Sequence, residues 1–168
     1  MNIRRYKNGD LESMVSLFTE TVRQVNIRDY SPEQVEAWAP KPPDLIRWRE
    51  RVAALTFWVA ESDGQTIGFC GLGADGHVDL LYTDHRFQRQ GVARSLYQQV
   101  EDEARRRGVQ RLFTEASITA RSFFERMGFA IVSEQRVELR GVSFKNYVME
   151  KYLAPANRTG IIGENVIG

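Results

Sequence analysis

The sequence predicts a single α/β domain, a mixed and twisted sheet of about six or seven strands flanked by helices. Its 168 residues suffice for one domain with a sizeable core. Short runs of β-forming residues, bounded by turn residues, alternate with segments in which apolar residues recur at helical spacing. One strand–helix–strand passage in the second half predicts a right-handed crossover, which joins parallel strands.

The first half of the chain predicts one short strand and three helices. Residues 3–6 form the strand, and apolar residues at helical spacing predict a helix over 11–26. A second helix starts at Ser31-Pro32-Glu33-Gln34, which combines a capping serine, a proline at the first helical position and a glutamine at capping-box spacing. A third helix follows over 44–54.

An antiparallel meander of three strands follows these helices. The strands cover 56–61, 66–73 and 77–83, and each is rich in β-forming residues. Asp63-Gly64 and Asp75-Gly76 separate them, and such Asp-Gly pairs favour tight hairpin turns. We therefore expect neighbouring, antiparallel strands.

The second half predicts the crossover and a final hairpin. A helix runs from residue 92 to about 107 and leads to a strand over 111–115, parallel to the 77–83 strand. A short helix covers 117–127, and residues 129–139 and 142–152 form the hairpin. The domain then spans 1–153, and the tail over 154–168 is expected to be poorly ordered or to dock on a neighbour.

Composition excludes several classes of protein. A net charge of +1 without an isolated basic tract argues against a nucleic-acid partner. No apolar stretch approaches the roughly 20 residues of a membrane span, and the N-terminus lacks the apolar core of a signal peptide. The single cysteine, Cys70, suits a reducing compartment. We expect a cytoplasmic protein with no metal site and no membrane association.

An anion-binding loop is predicted where the 77–83 strand gives way to the next helix. The first N–H groups of a helix have no intrahelical partner, and the helix dipole adds partial positive charge there. Gly91 lets a ligand approach the backbone, and Arg86, Arg89 and Arg94 add full charges. We interpret this loop as a pyrophosphate cradle.

Two sequence blocks resemble the GNAT N-acetyltransferase superfamily over roughly residues 2–153. Gln88-Arg89-Gln90-Gly91-Val92-Ala93 is similar to its Q/R-x-x-G-x-G/A block, and Phe123-Phe124-Glu125-Arg126-Met127-Gly128-Phe129 is similar to its F-Y-x-x-x-G-F block. The end of the chain, residues 143–151, resembles a bacterial subgroup often called YafP-like. The loop lacks the glycine patterns of P-loop and Rossmann proteins.

The resemblance implies acetyl-CoA as cofactor and a sheet that splays between its fourth and fifth strands. It implies that the pantetheine arm pairs with the main chain of the fourth strand, and that the pyrophosphate binds loop N–H groups. Ser117 takes the place of a family asparagine that contacts the cofactor. The implied cofactor-binding residues are Leu81, Tyr82, Thr83, Gln88, Arg89, Gln90, Gly91, Val92, Ala93, Arg94, Ser117 and Phe124.

Acetyl transfer to an amine requires a base and a polarised carbonyl. The resemblance implies a main-chain N–H near Leu81 or Tyr82 for the carbonyl. Period-two alternation places Asp79 and His77 on the same strand face as Leu81, so both are candidate bases. The alternative, that they are simply polar residues on a half-exposed strand, stays open.

The sequence departs from the family pattern at the general acid, the group that protonates the leaving thiolate. Phe124 stands where many members carry a proton-donating tyrosine. Tyr82 and Tyr147 are candidate replacements, and a thiol with a pKa of about 8.5 also leaves without an acid. This departure keeps two functions open: a direct-transfer acetyl-CoA-dependent N-acetyltransferase, or a non-catalytic acyl-CoA-binding sensor or interaction module.

The acceptor is the least determined part of the prediction. The resemblance implies that the acceptor is an amine of a small molecule or peptide. The 26–54 region is expected to form a wall of the acceptor site. Glu33, Glu36 and Asp44 would favour a cationic amine if they faced the pocket, and face solvent otherwise. A homodimer is possible.

Overall fold

The computed structural model of the protein describes residues 1–154, so the predicted tail lies outside the described residues from residue 155 onward. The helices are α1 (Leu11–Gln24), α2 (Pro32–Trp38), α3 (Leu45–Ala54), α4 (Val92–Arg106) and α5 (Arg121–Arg126). The strands are β1 (Asn2–Arg5), β2 (Thr56–Ser62), β3 (Gln65–Leu72), β4 (Val78–Thr83), β5 (Arg111–Ser117), β6 (Ala130–Leu139) and β7 (Val142–Tyr152).

Seven strands form two antiparallel sheets that meet at β4 and β5. The first sheet has the order β1-β2-β3-β4 and the second has the order β5-β7-β6. A single parallel bridge, between His77 and Phe113, joins them at the start of β4 and β5. Beyond the bridge the C-terminal halves of β4 and β5 separate, which confirms the α/β class, the parallel crossover and the predicted splay.

The buried apolar residues form two cores, which lie between the sheets and the helices. One core packs under α4 and α5, and its members include Leu96, Val100 and Met149. The other packs under α1, α2 and α3 and includes Phe18 and Trp48. The helical spacing of apolar residues in α1 and α4 supplies the faces that cover the sheet.

The turn after β5 differs from the prediction of a helix over 117–127. The strand continues to Ser117, which pairs with Asn146, and α5 starts only at Arg121. The N–H of Ile118 donates to the hydroxyl of Tyr30 at 2.9 Å instead of entering a helix. A distant side chain therefore overrides the local helical pattern.

Cys70 lies in the middle of β3 and is fully buried. Burial raises the pKa of its thiol, so the thiol stays protonated and unreactive. Among residues 1–154, no helix is both long and apolar enough to cross a membrane. Within the same residues, no group of three or more His, Cys, Asp or Glu side chains is placed to hold a metal ion.

Candidate active site

A β-bulge in β4 shapes the centre of the site. Two β4 residues, Leu80 and Leu81, oppose the single β3 residue Cys70. Leu80 has a φ of +57°, which is rare for a residue with a branched side chain. Leu80 packs into the core under α1–α3, whereas Leu81 packs against the core under α4 and α5.

The bulge makes the prediction of one shared strand face wrong. Asp79 points toward α3, where Arg51 binds it, and Leu81 points to the opposite face. His77 precedes β4 and forms the bridge to β5. Because the extra residue interrupts the period-two alternation, the side chains before and after it no longer keep a common phase.

A cavity of about 1660 Å³ fills the gap between the separated ends of β4 and β5. On one side it is walled by the loop that leads into α4 and by α5, which we call the cofactor wall. On the other side it is walled by α1–α3, by the β6–β7 hairpin and by the side chains of His77, Asp79, Tyr82 and Glu115, which together we call the acceptor wall. The predicted site residues that line it are His77, Asp79, Leu81, Tyr82, Thr83, Gln88, Arg89, Gly91, Val92, Ala93, Arg94, Ser117 and Phe124.

The cofactor wall presents main-chain groups at the start of α4. Arg89 and Gly91 have φ values of +59° and +82°, and no side chain caps the helix. A Cβ added to Gly91 would meet no atom within 4 Å, so the space in front of it is open. Gln88 fastens the loop, since its Nε2 donates to the carbonyl of Thr83 at 2.7 Å. The open N–H groups and the space fit a pyrophosphate.

The end of β4 offers main-chain donors to the gap. The N–H of Asp84 donates to Ile67 of β3 at 2.8 Å, so the N–H groups of Leu81 and Thr83 alternate toward the gap. Thr83 is buried, and its Oγ1 has no hydrogen-bond partner among the described residues. Both features fit an extended amide-bearing chain such as pantetheine.

Two charged pairs lie where the acceptor wall meets the bridge between the sheets. His77 Nε2 is 2.5 Å from Glu115 Oε2, and the His77 ring stacks on Phe113 with centroids 4.8 Å apart. Arg51 Nη2 donates to Asp79 Oδ2 at 2.9 Å. Glu115 and Arg51 were missed in the sequence. Only the His77–Phe113 bridge, combined with alternation along β5, would have placed Glu115 beside His77.

The two partners of the histidine pair shift each other's pKa. Burial lowers the pKa of His77, but the hydrogen bond to Glu115 and the carboxylates of Asp79 and Asp75 outweigh it, so the net direction is upward. The hydrogen bond from His77 lowers the pKa of Glu115. The pair is therefore stabilised in its charged form, with the imidazole holding a proton to a higher pH than usual.

The family follows from comparison with known proteins. A family model described as the acetyltransferase (GNAT) domain matches residues 26–151. The chain belongs to the GNAT acetyltransferase family. It is 37% identical to the uncharacterized N-acetyltransferase YafP of Escherichia coli K12, over 89% of this chain and 94% of that protein. GNAT enzymes transfer an acyl group from acetyl-CoA, so the predicted acetyl-CoA-dependent acyltransferase is confirmed.

Solved structures share the GNAT fold. A GCN5-related N-acetyltransferase from Rhodopseudomonas palustris is 29% identical, with a TM-score of 0.87 over 90% of this chain and 95% of that one. The PaiA N-acetyltransferase of Thermoplasma acidophilum, solved with coenzyme A, is 20% identical, with a TM-score of 0.67 over 91% of this chain and 100% of that one. The latter likeness concerns the fold.

The two tyrosines considered in this GNAT chain lie in different cores. Tyr82 lines the cavity on the acceptor wall, edge-on to Phe18 with centroids 4.8 Å apart, and burial raises the pKa of its hydroxyl. Tyr147 is absent from the described lining residues. It is buried in the core with Phe124, and the guanidinium of Arg121 lies 4.8 Å from its ring centre.

Some predicted GNAT cofactor residues have structural contacts of their own. Ser117 Oγ accepts the N–H of Ala120 at 3.0 Å and so fixes the turn after β5 while lining the cavity. Gln90 is not among the described lining residues, and its Nε2 donates to the carbonyl of Arg86 at 3.3 Å. Side chains at these positions therefore shape the loop as well as the cavity.

The acceptor wall of this GNAT site is aromatic and carries basic side chains. Of the acidic residues considered in the sequence, Glu36 pairs with Arg23 at 2.8 Å, and neither it nor Glu33 is among the described lining residues. Asp44 lines the cavity and also caps α3 by accepting the N–H of Arg47 at 3.1 Å. The aromatic residues that line the acceptor wall are Phe18, Tyr30, Trp38, Trp48, Tyr82 and Phe144.

Proposed function

We propose that the protein is an N-acetyltransferase in which an acceptor amine attacks the acetyl thioester directly. The observation that carries the proposal is the His77–Glu115 pair, which lies across one cavity from the open N–H groups at Gly91. Acetyl-CoA supplies the acetyl group as an activated thioester. A base on one wall and an anion cradle on the other are the two components that this transfer needs.

The cofactor wall binds acetyl-CoA and polarises its acetyl carbonyl through main-chain N–H groups. The N–H groups from residue 88 to residue 94 bind the pyrophosphate, and those of Leu81 and Thr83 hold the pantetheine arm. The N–H of Leu81, next to the bulge, is the proposed donor to the acetyl carbonyl. A donor fixed in a strand needs no reorganisation when charge develops on that oxygen.

His77 is the proposed base, and Glu115 is its positioning residue. Glu115 holds the imidazole by one nitrogen and stabilises the imidazolium that forms when His77 takes the amine proton. Asp79, the other candidate base, has one oxygen engaged by Arg51. We assign Asp79 the role of orienting Arg51.

The leaving thiolate departs without a dedicated acid in this proposal. A thiol has a pKa of about 8.5, so its thiolate is a tolerable leaving group near neutral pH. Tyr82 has a raised pKa and is therefore a hydrogen-bond donor rather than a proton source. We assign Tyr147 no role, because it is not among the described lining residues of the cavity.

A thiol-release assay with acetyl-CoA and a panel of amines tests the proposal. We expect thiol release that depends on the amine, and calorimetry should detect acetyl-CoA binding without it. Binding without acetylation of any amine, in both the wild type and a Phe124→Tyr variant, would support the acyl-CoA sensor instead. No acetyl-CoA binding would contradict both functions.

A cytoplasmic location and a homodimer stay predictions. Light scattering during size exclusion tests the dimer, and the mass of one chain would contradict it. Cell fractionation tests the location. The single cysteine, Cys70, is a buried free thiol. This is consistent with the reducing compartment expected from the sequence.

A further inference from the structure

Helix α3 carries two arginines on the face that lines the cavity. Arg47 and Arg51 are four residues apart, so they are neighbours on one side of the helix, and both line the cavity. Like charges at this spacing weakly destabilise a helix. Within residues 1–154, no carboxylate lies within ion-pair distance of Arg47. The pair is thus not explained by the stability of the helix.

Arg51 is held in place by a hydrogen bond to Asp79 that uses only part of the donor capacity of its guanidinium. Its Nη2 donates to Asp79 at 2.9 Å, and its side chain remains 37% exposed. A guanidinium has five N–H donors, and its planar fork matches the two oxygens of a carboxylate. Asp79 therefore orients a fork whose remaining donors are available to a ligand.

Near α3 the cavity is lined by Arg47, Arg51 and Arg140 against Asp44 and Asp79, so the balance of charge is positive. Glu115 binds His77, Asp79 binds Arg51, and Asp44 caps the helix through a main-chain N–H. On the β6–β7 turn, Arg140 also lines the cavity, and its Nη1 donates to a main-chain carbonyl at 2.7 Å, which leaves its charge uncompensated. Of the acidic residues for which two alternatives were open, only Asp44 is among the described lining residues, which does not favour an acidic pocket for a cationic amine.

We propose that the acceptor is an amine that also carries a carboxylate, bound by Arg47 and Arg51; this rests on the proposed transferase function. Asp79, which holds Arg51, is two residues from His77 in an extended chain, a span of about 7 Å. An amine directed to His77 and a carboxylate directed to Arg51 are therefore only a few atoms apart. An amino acid has this arrangement.

Matched acceptors test the proposal. Each set contains an amino acid, its carboxamide and the corresponding decarboxylated amine, assayed by thiol release at saturating acetyl-CoA. We expect kcat/KM for the amino acid to exceed that for its carboxamide by about tenfold or more, as for a lost charge-assisted hydrogen bond. Arg47→Gln should reduce this preference, mainly by lowering kcat/KM for the amino acid.

Arg49→Gln is the matched control, because Arg49 is exposed on the same helix and is not among the described lining residues. It should retain the full preference. Equal rates for the amino acid and its carboxamide would overturn the carboxylate proposal and leave the transferase intact. An equal loss in Arg47→Gln and Arg49→Gln would also overturn it. Acetyl-CoA binding without acetylation of any acceptor would contradict the transferase function itself.

Discussion

In the function that we propose, the two walls of the cavity recognise their ligands by different means. The cofactor wall offers N–H groups from one continuous stretch around Gly91. The acceptor wall offers His77, Glu115, Arg51 and Asp79, which come from three separate segments. A site built from the main chain of one segment can be identified from a short sequence block. A site assembled from side chains of several segments cannot. Substitutions that affect one wall alone therefore test the division.

The largest expected effect comes from removing the base on the acceptor wall. His77→Gln should lower kcat by about 10²–10⁴-fold, the usual contribution of a positioned base. The affinity for acetyl-CoA, measured by calorimetry, should not change, because the cofactor wall is intact. A parallel loss of acetyl-CoA affinity would show that the two walls are not independent.

A bulky residue at Gly91 should damage only the cofactor wall. Gly91→Val places a side chain in the open space of the cradle and should weaken acetyl-CoA binding about 100-fold through lost charge-assisted hydrogen bonds. The positive φ adds about 1–2 kcal/mol of destabilisation. Calorimetry and chemical denaturation measure the two effects.

Gly108 provides the control at the other end of α4. It also has a positive φ, +72°, and a Cβ there would meet no atom within 4 Å. Gly108→Val should destabilise the fold by a similar amount and keep the full affinity for acetyl-CoA. A comparable loss of affinity in both variants would mean that Gly91 matters only for folding.

A smaller effect is expected from the partner of His77. Glu115→Gln removes the charge that raises the pKa of His77, so the pKa falls toward and below its usual value in a buried site. Because a base acts in its deprotonated form, activity rises with pH through this pKa. The rise in kcat/KM should therefore move to lower pH, with a loss of about tenfold at the plateau. An unmoved profile would exclude His77 as the titrating group.

The smallest effect on activity is expected where the acceptor wall is tied to β5. Tyr30 accepts the N–H of Ile118 at 2.9 Å and donates to the carbonyl of Lys145 at 2.8 Å. Tyr30→Phe leaves both groups without this partner and should lower the free energy of unfolding by about 1–3 kcal/mol. Tyr6→Phe is the control, with a change below about 0.5 kcal/mol. Chemical denaturation measures both variants. An equal loss of the free energy of unfolding in Tyr30→Phe and Tyr6→Phe would contradict this role of Tyr30.

Local patterns predicted the fold and the cofactor wall, and nonlocal contacts account for what was missed. The block around Gly91 and the hairpin turns depend on neighbouring residues only. The bulge at Leu80 has no sequence signal, since leucine is an unusual residue at positive φ. Glu115 meets His77 only because two sheets touch at one bridge. The contact between Tyr30 and Ile118 likewise shortens α5 from a distance of 88 residues.

The extra residue in β4 also has a consequence for how such a protein can diversify. It divides one strand into two segments whose side chains are out of step. The segment before Leu80 carries Asp79 toward Arg51 of α3, and the segment after it carries Leu81 to Thr83 into the gap. Deleting Leu80 would restore regular alternation, because Asp79 and Leu81 would then be adjacent and would stay on opposite faces of β4. Under the proposed function, substitutions before the insertion would alter the acceptor side of the site while Tyr82 and Thr83 keep their register with β3.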